Sequence, residues 1–116
     1  DSSAVTTSHD YKLTPRVITL TDGATVTVDL TKRGINQVTL GGNRTIAVSG
    51  ETVGQTFVLS LVQDGTGSRT ATWFSTIKWA AGTVPTLTTT AGKTDVFQFI
   101  VISSGNYLGF VAGLNL

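Results

Sequence analysis

The stretch GQTFVLSLVQDGTGSRTATWFSTIKWAAGTVPTL, residues 54–87, decides the predicted fold. Within it, residues 56–63 are apolar on both faces of a two-residue alternation, which is typical of a strand buried on both sides. The DGTG segment at 64–67 supplies turn chemistry, since glycine tolerates positive φ and an aspartate side chain can accept a hydrogen bond from the backbone two residues on. Residues 70–74 follow as a second strand with β-branched and aromatic side chains. The stretch therefore predicts a central β-hairpin against which the flanking strands pack.

Alternating apolar and polar residues predict further short strands on both sides of this hairpin. Two glycines and an asparagine at 41–43 predict a second tight hairpin. No helical period of useful length occurs, so residues 17–116 are predicted to form an all-β domain, an antiparallel β-sandwich or jelly-roll-like fold of eight or nine short strands. Residues 1–16 are polar and lack either period, so they are interpreted as an N-terminal arm or linker, ordered or disordered. The further strands are predicted at 17–20, 25–30, 37–40, 44–48, 95–102 and 107–112.

The composition excludes several classes of function. The chain has 116 residues, of which 13% are charged, a net charge of +1 and no cysteine. Scattered charges without a basic run argue against a nucleic-acid ligand. No apolar stretch is long enough to span a membrane, and without thiols neither a disulfide nor a thiolate metal site can form. The charged fraction is about half of that typical of soluble domains, which favours either a surface rich in hydroxyl groups or burial of some of that surface between subunits.

The sequence offers little for catalysis. The one histidine, His9, lies in the polar arm, so neither a Ser-His-Asp nor a Cys-His arrangement is predicted. Most of the acidic residues lie in predicted turns or in the arm, where solvated carboxylates keep ordinary pKa values and do not form the pair that glycoside hydrolysis requires. The DGTG turn brings together several oxygen atoms, but it has fewer ligands than a calcium loop, so a plain β-turn is the interpretation. We therefore predict that the protein is not an enzyme and has no cofactor.

Six short segments of the chain carry a resemblance to a known family. They are QDGTG at 63–67, IKW at 77–79, GTVPTL at 82–87, KTDVF at 93–97, ITLTD at 18–22 and VTLGGNRT at 38–45. Together they resemble a β-rich module common in bacteriophage virion proteins, in tail fibres, head fibres and related surface appendages. The resemblance covers nearly all of the chain except the N-terminal segment. It implies a protein on the surface of the phage particle, a homotrimer, and contacts with other virion proteins.

Two predicted strands, at 56–63 and 95–102, are apolar on both faces, which is more than one sandwich core needs. In such folds, sheet edges and faces that nothing covers promote aggregation unless they are paired across subunits. A homotrimer would bury the surplus, and a deeper single core is the alternative. The residues predicted for the subunit interface are Val96, Ile100, Ile102, Leu114 and Leu116.

Aromatic rings indicate where a host-surface glycan could bind, because exposed rings stack on the C–H faces of sugars. The candidates for glycan contact are Trp79, Lys78 and Tyr107. Trp79 is predicted to be exposed because it precedes a flexible AAG segment, although a tryptophan in a small β-domain is more often part of a core or interface. We expect a structural phage protein, the C-terminal module of a tail or head fibre, involved in assembly and host attachment. The alternatives are a capsid decoration protein that stabilises the shell and a free carbohydrate-binding module.

Overall fold

A computed structural model describes residues 16–116, which form nine β-strands and a single 3-10 turn. The predicted all-β class and the predicted number of strands are confirmed. The arm predicted at 1–16 lies, except for its last residue, outside the described residues. The elements are β1 (Val17–Thr19), β2 (Thr25–Asp29), β3 (Ile35–Leu40), β4 (Arg44–Ser49), β5 (Thr56–Gln63), β6 (Ala71–Thr72), β7 (Thr76–Lys78), the 3-10 turn (Ala80–Gly82), β8 (Thr94–Ser103) and β9 (Asn106–Gly113).

Parallel pairing dominates the two sheets, where the sequence predicted antiparallel pairing. One sheet has six strands in the order β1-β3-β5-β8-β9-β7, and the other has three in the order β2-β4-β6. From β1 to β6 successive strands alternate between the sheets, and each of the strands β1 to β4 pairs in parallel with the strand that lies two further along the chain. This part of the chain is therefore a flattened coil. Antiparallel pairing begins with β8, which pairs with β5 and with β9.

The two hairpins predicted at 41–43 and 64–67 are wrong. Both turns are formed, but each leads from one sheet into the other, so the strands that flank it do not pair. β5 cannot pair with the strand that follows it, because its two edges are occupied by β3 and β8. Side chains in these connections instead form hydrogen bonds with the next connection on the same side of the coil. Asp22, between β1 and β2, accepts hydrogen bonds from Arg44 at the start of β4, and Asn43, between β3 and β4, accepts one from Thr70 N–H, between β5 and β6.

One hydrophobic core fills the space between the sheets. Alternate residues of β2, β3, β5 and β8 point into it, as the two-residue period predicted. Beside the C-terminal strands the core becomes aromatic, with ring centroids 4.9 to 6.3 Å apart. Its seven rings, the aromatic cluster, are those of Phe57, Trp73, Phe74, Trp79, Phe97, Phe99 and Tyr107.

Two buried polar side chains fix the long connection between the 3-10 turn and β8. Gln63 donates hydrogen bonds to the carbonyl groups of Arg69 and Thr88, and accepts one from Arg69 N–H. Asp95 accepts hydrogen bonds from Thr88 N–H at 2.7 Å and from Asn115 N–H at 2.9 Å. Because buried polar groups cost stability unless they are paired, these bonds hold both the connection and the C-terminal tail on the sheet.

Candidate interaction surfaces

The face of the six-stranded sheet that points away from the core has apolar side chains at about half of its strand positions. Its residues alternate with the buried ones, and the strand register places them side by side. One row across five strands consists of Val17, Ile35, Val58, Gln98 and Phe110. Val17, Ile35 and Phe110 are 59%, 45% and 46% exposed. We call this surface the outer face, and its apolar members are Val17, Ile35, Val58, Val62, Val96, Ile100, Ile102, Leu108 and Phe110.

The corresponding face of the three-stranded sheet is polar. Its outward positions carry mostly threonine and serine, whose hydroxyl groups bond readily with water. This face therefore matches the expectation of a hydroxyl-covered surface, whereas the outer face of the six-stranded sheet carries large apolar side chains between its hydroxyl groups. The outward positions of β2 and β4 are Thr25, Thr27, Asp29, Thr45, Ala47 and Ser49.

The residues predicted for the subunit interface lie in two neighbouring regions. Val96, Ile100 and Ile102 are on β8 with their side chains on the outer face. The predicted division of this strand into a buried and an outward apolar face is confirmed. Leu114 and Leu116 are on the C-terminal tail, 43% and 64% exposed. Reciprocal backbone hydrogen bonds join the end of this tail to the start of β8. Contact of these residues with another subunit stays a prediction.

The residues predicted for glycan contact do not form an exposed platform. Trp79 is 9% exposed and Tyr107 is 2% exposed, and both rings pack in the aromatic cluster. The predicted exposure of Trp79 is therefore wrong. Ile77 and Trp79 both point inward, against the bare backbone of Gly109, and Lys78 between them points outward. The alternation of the Ile-Lys-Trp segment was the signal in the sequence that could have placed this tryptophan in the core.

Two carboxylate–guanidinium pairs stabilise the turns of the coil. Asp22 accepts hydrogen bonds from Arg44 at 2.9 and 3.0 Å, and Asp64 accepts them from Arg69 at 3.2 and 2.9 Å. The hydrogen bond from Arg44 lowers the pKa of Asp22, and that from Arg69 lowers the pKa of Asp64 to about 2. The expectation of ordinary pKa values in the turns is wrong for these two residues. Asp64 also accepts hydrogen bonds from the backbone of its own turn, as the DGTG sequence predicted.

A third carboxylate joins the loop between β4 and β5 to the turn between β8 and β9. Glu51 accepts hydrogen bonds from the hydroxyl group of Tyr107 and from Gly105 N–H. The hydrogen bond from Tyr107 lowers the pKa of Glu51. Burial, together with this hydrogen bond, raises the pKa of Tyr107. The tyrosine therefore has a structural contact at both its ring and its hydroxyl group.

Among residues 16–116, no group of three or more histidine or carboxylate side chains is placed to hold a metal ion. The same part of the chain contains no helix of the length and apolarity that crossing a membrane requires.

A comparison with known protein families identifies the class of the chain. Residues 18–107 match the model of the family described as "Putative phage tail fibre C-terminal domain". A comparison with curated proteins and one with solved structures gave no match. The matched residues run from β1 to the start of β9, so they include both sheets and most of the outer face.

Proposed function

Because the chain belongs to the family of phage tail fibre C-terminal domains, which are components of the virion, we propose that it is a structural, non-catalytic module that forms a homotrimer at the end of a fibre and takes part in attachment to the host surface. Family membership supports the fibre and its place in the particle. The number three comes from the resemblance to fibrous virion appendages. The contrast between the two sheet faces carries the proposal of self-assembly.

The outer face carries nine large apolar side chains, set among threonine, serine, glutamine and asparagine residues. At its strand positions in the described part of the chain, Lys78 is the charged residue, at the edge strand β7. Soluble proteins seldom expose large contiguous apolar patches unless they bind something. The three-stranded sheet of the same molecule shows what this chain places against water, namely threonine and serine. The outer face is therefore the surface that a second and third copy would cover.

Burial of the outer face between copies of the chain would contribute a free energy of association that is substantial for a small protein. Fully burying a large apolar side chain contributes about 1.5 to 3 kcal/mol. Phe110 is 46% exposed, so covering the rest of it would contribute roughly 1 kcal/mol in each copy. Ile35, Val17 and Ile102 are exposed to a similar extent. A closed cyclic arrangement uses the same contact in every subunit, so these gains recur around the symmetry axis.

A trimer would also strengthen attachment. Each copy presents the same loops, so three identical weak sites bind a repetitive host surface together. Linked sites bind with an avidity that exceeds the single affinity by orders of magnitude, roughly 10²- to 10⁴-fold, provided that they can engage at the same time. Attachment would then depend on assembly.

Charged substitutions on the outer face test the assembly. Phe110→Asp and Ile100→Asp each place a carboxylate on this surface, and Thr27→Asp places one on the polar face of the other sheet as the matched control. We expect the first two variants to have a lower mass by light scattering with an unchanged β-type circular dichroism spectrum. We expect the control to keep the mass of the unchanged protein. Unchanged mass in both outer-face variants would contradict the proposed interface.

A binding assay tests the attachment. Fluorescently labelled protein is mixed with a panel of bacterial strains, and the amount retained is measured for the unchanged protein, for Phe110→Asp and for Thr27→Asp. We expect at least one strain to retain the unchanged protein and the control, and to lose Phe110→Asp at the same chain concentration. Retention on isolated phage heads and on no cell surface would instead favour the capsid decoration role.

A further inference from the structure

Two turns of the coil contain an aspartate that is followed directly by glycine. They are Asp22-Gly23 between β1 and β2, and Asp64-Gly65 between β5 and β6. The backbone nitrogen that follows an aspartate can attack the Cγ atom of that aspartate, and glycine allows the closest approach because it has no side chain. The other aspartates of the chain precede larger residues. These two turns are therefore the places where the chain can most readily change its own backbone.

This reaction needs no partner except water. In its first step the glycine nitrogen forms a bond to Cγ, and the hydroxyl group of the neutral carboxyl group leaves with the N–H proton as water. In the second step one water molecule opens the resulting succinimide ring at one of its two carbonyl groups. Opening at the main-chain carbonyl gives isoaspartate, in which the chain runs through Cβ and Cγ and is one atom longer. An ionised carboxylate reacts poorly in the first step, because its oxygen would have to leave without a proton.

The carboxylate of Asp64 is held by groups further along its own turn. It accepts hydrogen bonds from Thr66 N–H at 3.1 Å and from Gly67 N–H at 3.0 Å. It accepts two more from Arg69, at 3.2 and 2.9 Å. The N–H group of Gly65 is not among these four donors. The turn would therefore have to open before the Gly65 nitrogen could attack this carboxyl group.

The carboxylate of Asp22 has fewer donors and lies beside the nitrogen of its own glycine. It accepts two hydrogen bonds from Arg44, at 2.9 and 3.0 Å, and a longer one of 3.2 Å from Gly41 N–H. The hydrogen bond from Arg44 lowers the pKa of Asp22 most, and the backbone N–H groups of Gly41 and Gly23 lower it further. The side chain of Asp22 is 34% exposed, against 24% for Asp64. Arg44 is thus the main group that keeps the Asp22 carboxylate ionised, with the attacking nitrogen of Gly23 already close to it.

We propose that Asp22-Gly23 is a site of spontaneous isoaspartate formation in the folded protein, and that the contact with Arg44 sets its rate. The consequence follows from the same contacts. The added backbone atom displaces the carboxylate from Arg44 and from Gly41, and these contacts connect the β1–β2 turn to the turn between β3 and β4. Because β1 is a three-residue edge strand that pairs only with β3 among the described strands, the edge of the outer face loses support as the protein ages. This inference does not depend on the proposed role in attachment.

The test is storage of the full chain at physiological temperature for several weeks, followed by digestion and mass spectrometry with fragment ions that distinguish isoaspartate from aspartate. We expect isoaspartate to accumulate at position 22 and to stay lower at position 64. In Arg44→Gln it should form at position 22 about two- to fivefold faster, the factor that corresponds to the loss of an exposed ion pair. Lys78→Gln, at the opposite edge of the six-stranded sheet, is the matched control and should leave the rate unchanged. An equal or higher level at position 64, or an unchanged rate at position 22 in Arg44→Gln, would overturn the proposal.

Gly23→Ala separates the chemistry from a change in folding. A Cβ atom at this position would lie 3.9 Å from the carbonyl oxygen of Thr25, its nearest contact beyond the chain neighbours, and the φ of Gly23 is not positive. The melting temperature should therefore not fall. The methyl group obstructs the attacking nitrogen, so isoaspartate at position 22 should fall to the level at position 64, and formation as fast as in the unchanged protein would overturn the assigned site.

Amide hydrogen exchange tests the consequence of the modification. The fraction that contains isoaspartate is separated by ion-exchange chromatography, and exchange is followed by NMR. We expect Gly41 N–H, which has lost its acceptor, to exchange faster than in the unconverted fraction, while amide groups of the aromatic cluster keep their rates. Equal exchange at Gly41 in the two fractions would contradict the assigned consequence.

Discussion

Substitution of Gly109 by alanine tests how closely the aromatic cluster packs against β9. A Cβ atom built at this position would lie 2.7 Å from Cγ2 of Ile77 and 2.8 Å from two ring carbons of Trp79. Carbon atoms in contact prefer about 3.5 to 4.0 Å, so these neighbours would have to move by roughly 1 Å. The indole ring cannot do so freely, because its centroid lies 5.3 Å from that of Trp73 and 5.6 Å from that of Phe99.

The expected loss of stability in Gly109→Ala follows from these contacts. Overpacking of a well-packed core costs about 1 to 3 kcal/mol, and replacing glycine by alanine returns about 0.4 to 1 kcal/mol through the entropy of the unfolded chain. The free energy of unfolding of Gly109→Ala should therefore be lower than that of the unchanged protein by roughly 1 to 2 kcal/mol. Gly65→Ala is the matched control, because a Cβ atom at that position would have no heavy atom within 4 Å beyond its chain neighbours, and because the φ of Gly65 is not positive. It should lose no stability.

Urea unfolding at a fixed protein concentration, followed by tryptophan fluorescence and circular dichroism, gives these free energies, and the concentration matters because assembly contributes to stability. In the double variant Gly109→Ala/Trp79→Leu the space for the methyl group is restored, so the alanine should cost less than it does alone. Equal stability of Gly109→Ala and Gly65→Ala would refute the packing described for the cluster.

Three further changes test the core, the buried carboxylate and the ion pairs. Trp79→Ala should lower the free energy of unfolding by about 3 to 5 kcal/mol, and a loss below about 1 kcal/mol in urea titrations would mean that the ring is not part of the core. Asp95→Asn should cost about 1 to 3 kcal/mol, because an amide cannot accept both backbone N–H donors; the same titration measures it, and no loss would contradict the two bonds. The pKa of Asp64 is lowered to about 2 from 3.8, so its contribution to stability is present above pH 3.8 and is lost as the pH falls toward 2. Melting temperatures at several pH values should therefore fall less steeply over this range in Asp64→Asn, and equal slopes would contradict the role of this carboxylate.

The strands could be predicted from the sequence, but their partners could not. The two-residue period of β5 and β8 follows directly from which side chains are apolar, and both strands were placed within one residue. Turn residues such as those at 41–43 indicate that the chain changes direction. They do not indicate whether it returns along the same sheet or enters the other, because glycine and asparagine suit both geometries. The pairing depends on contacts between distant segments, such as β3 with β5 and β5 with β8.

The surface features, like the strands and their partners, could be predicted only in part. Val96, Ile100 and Ile102 were assigned to an outward apolar face by alternation alone, and the structure places them there. The coiled path of β1 to β6 was not predicted, because the connections β2–β3 and β4–β5 become neighbours only when the strands have entered both sheets. A repeated strand–turn unit was the signal of this path in the sequence, with Asp22, Asn43 and Asp64 each beside a glycine at the end of a strand. Such internal repeats are typical of coiled β-structures.

The mass of the purified chain in solution, measured by light scattering over a dilution series, tests the central claim most directly. One chain has a mass of 12.1 kDa. A stable species of three chains that persists on dilution is the predicted result, because the outer face would then be covered. A single chain at every concentration would contradict the proposed homotrimer and leave the apolar outer face for a different partner.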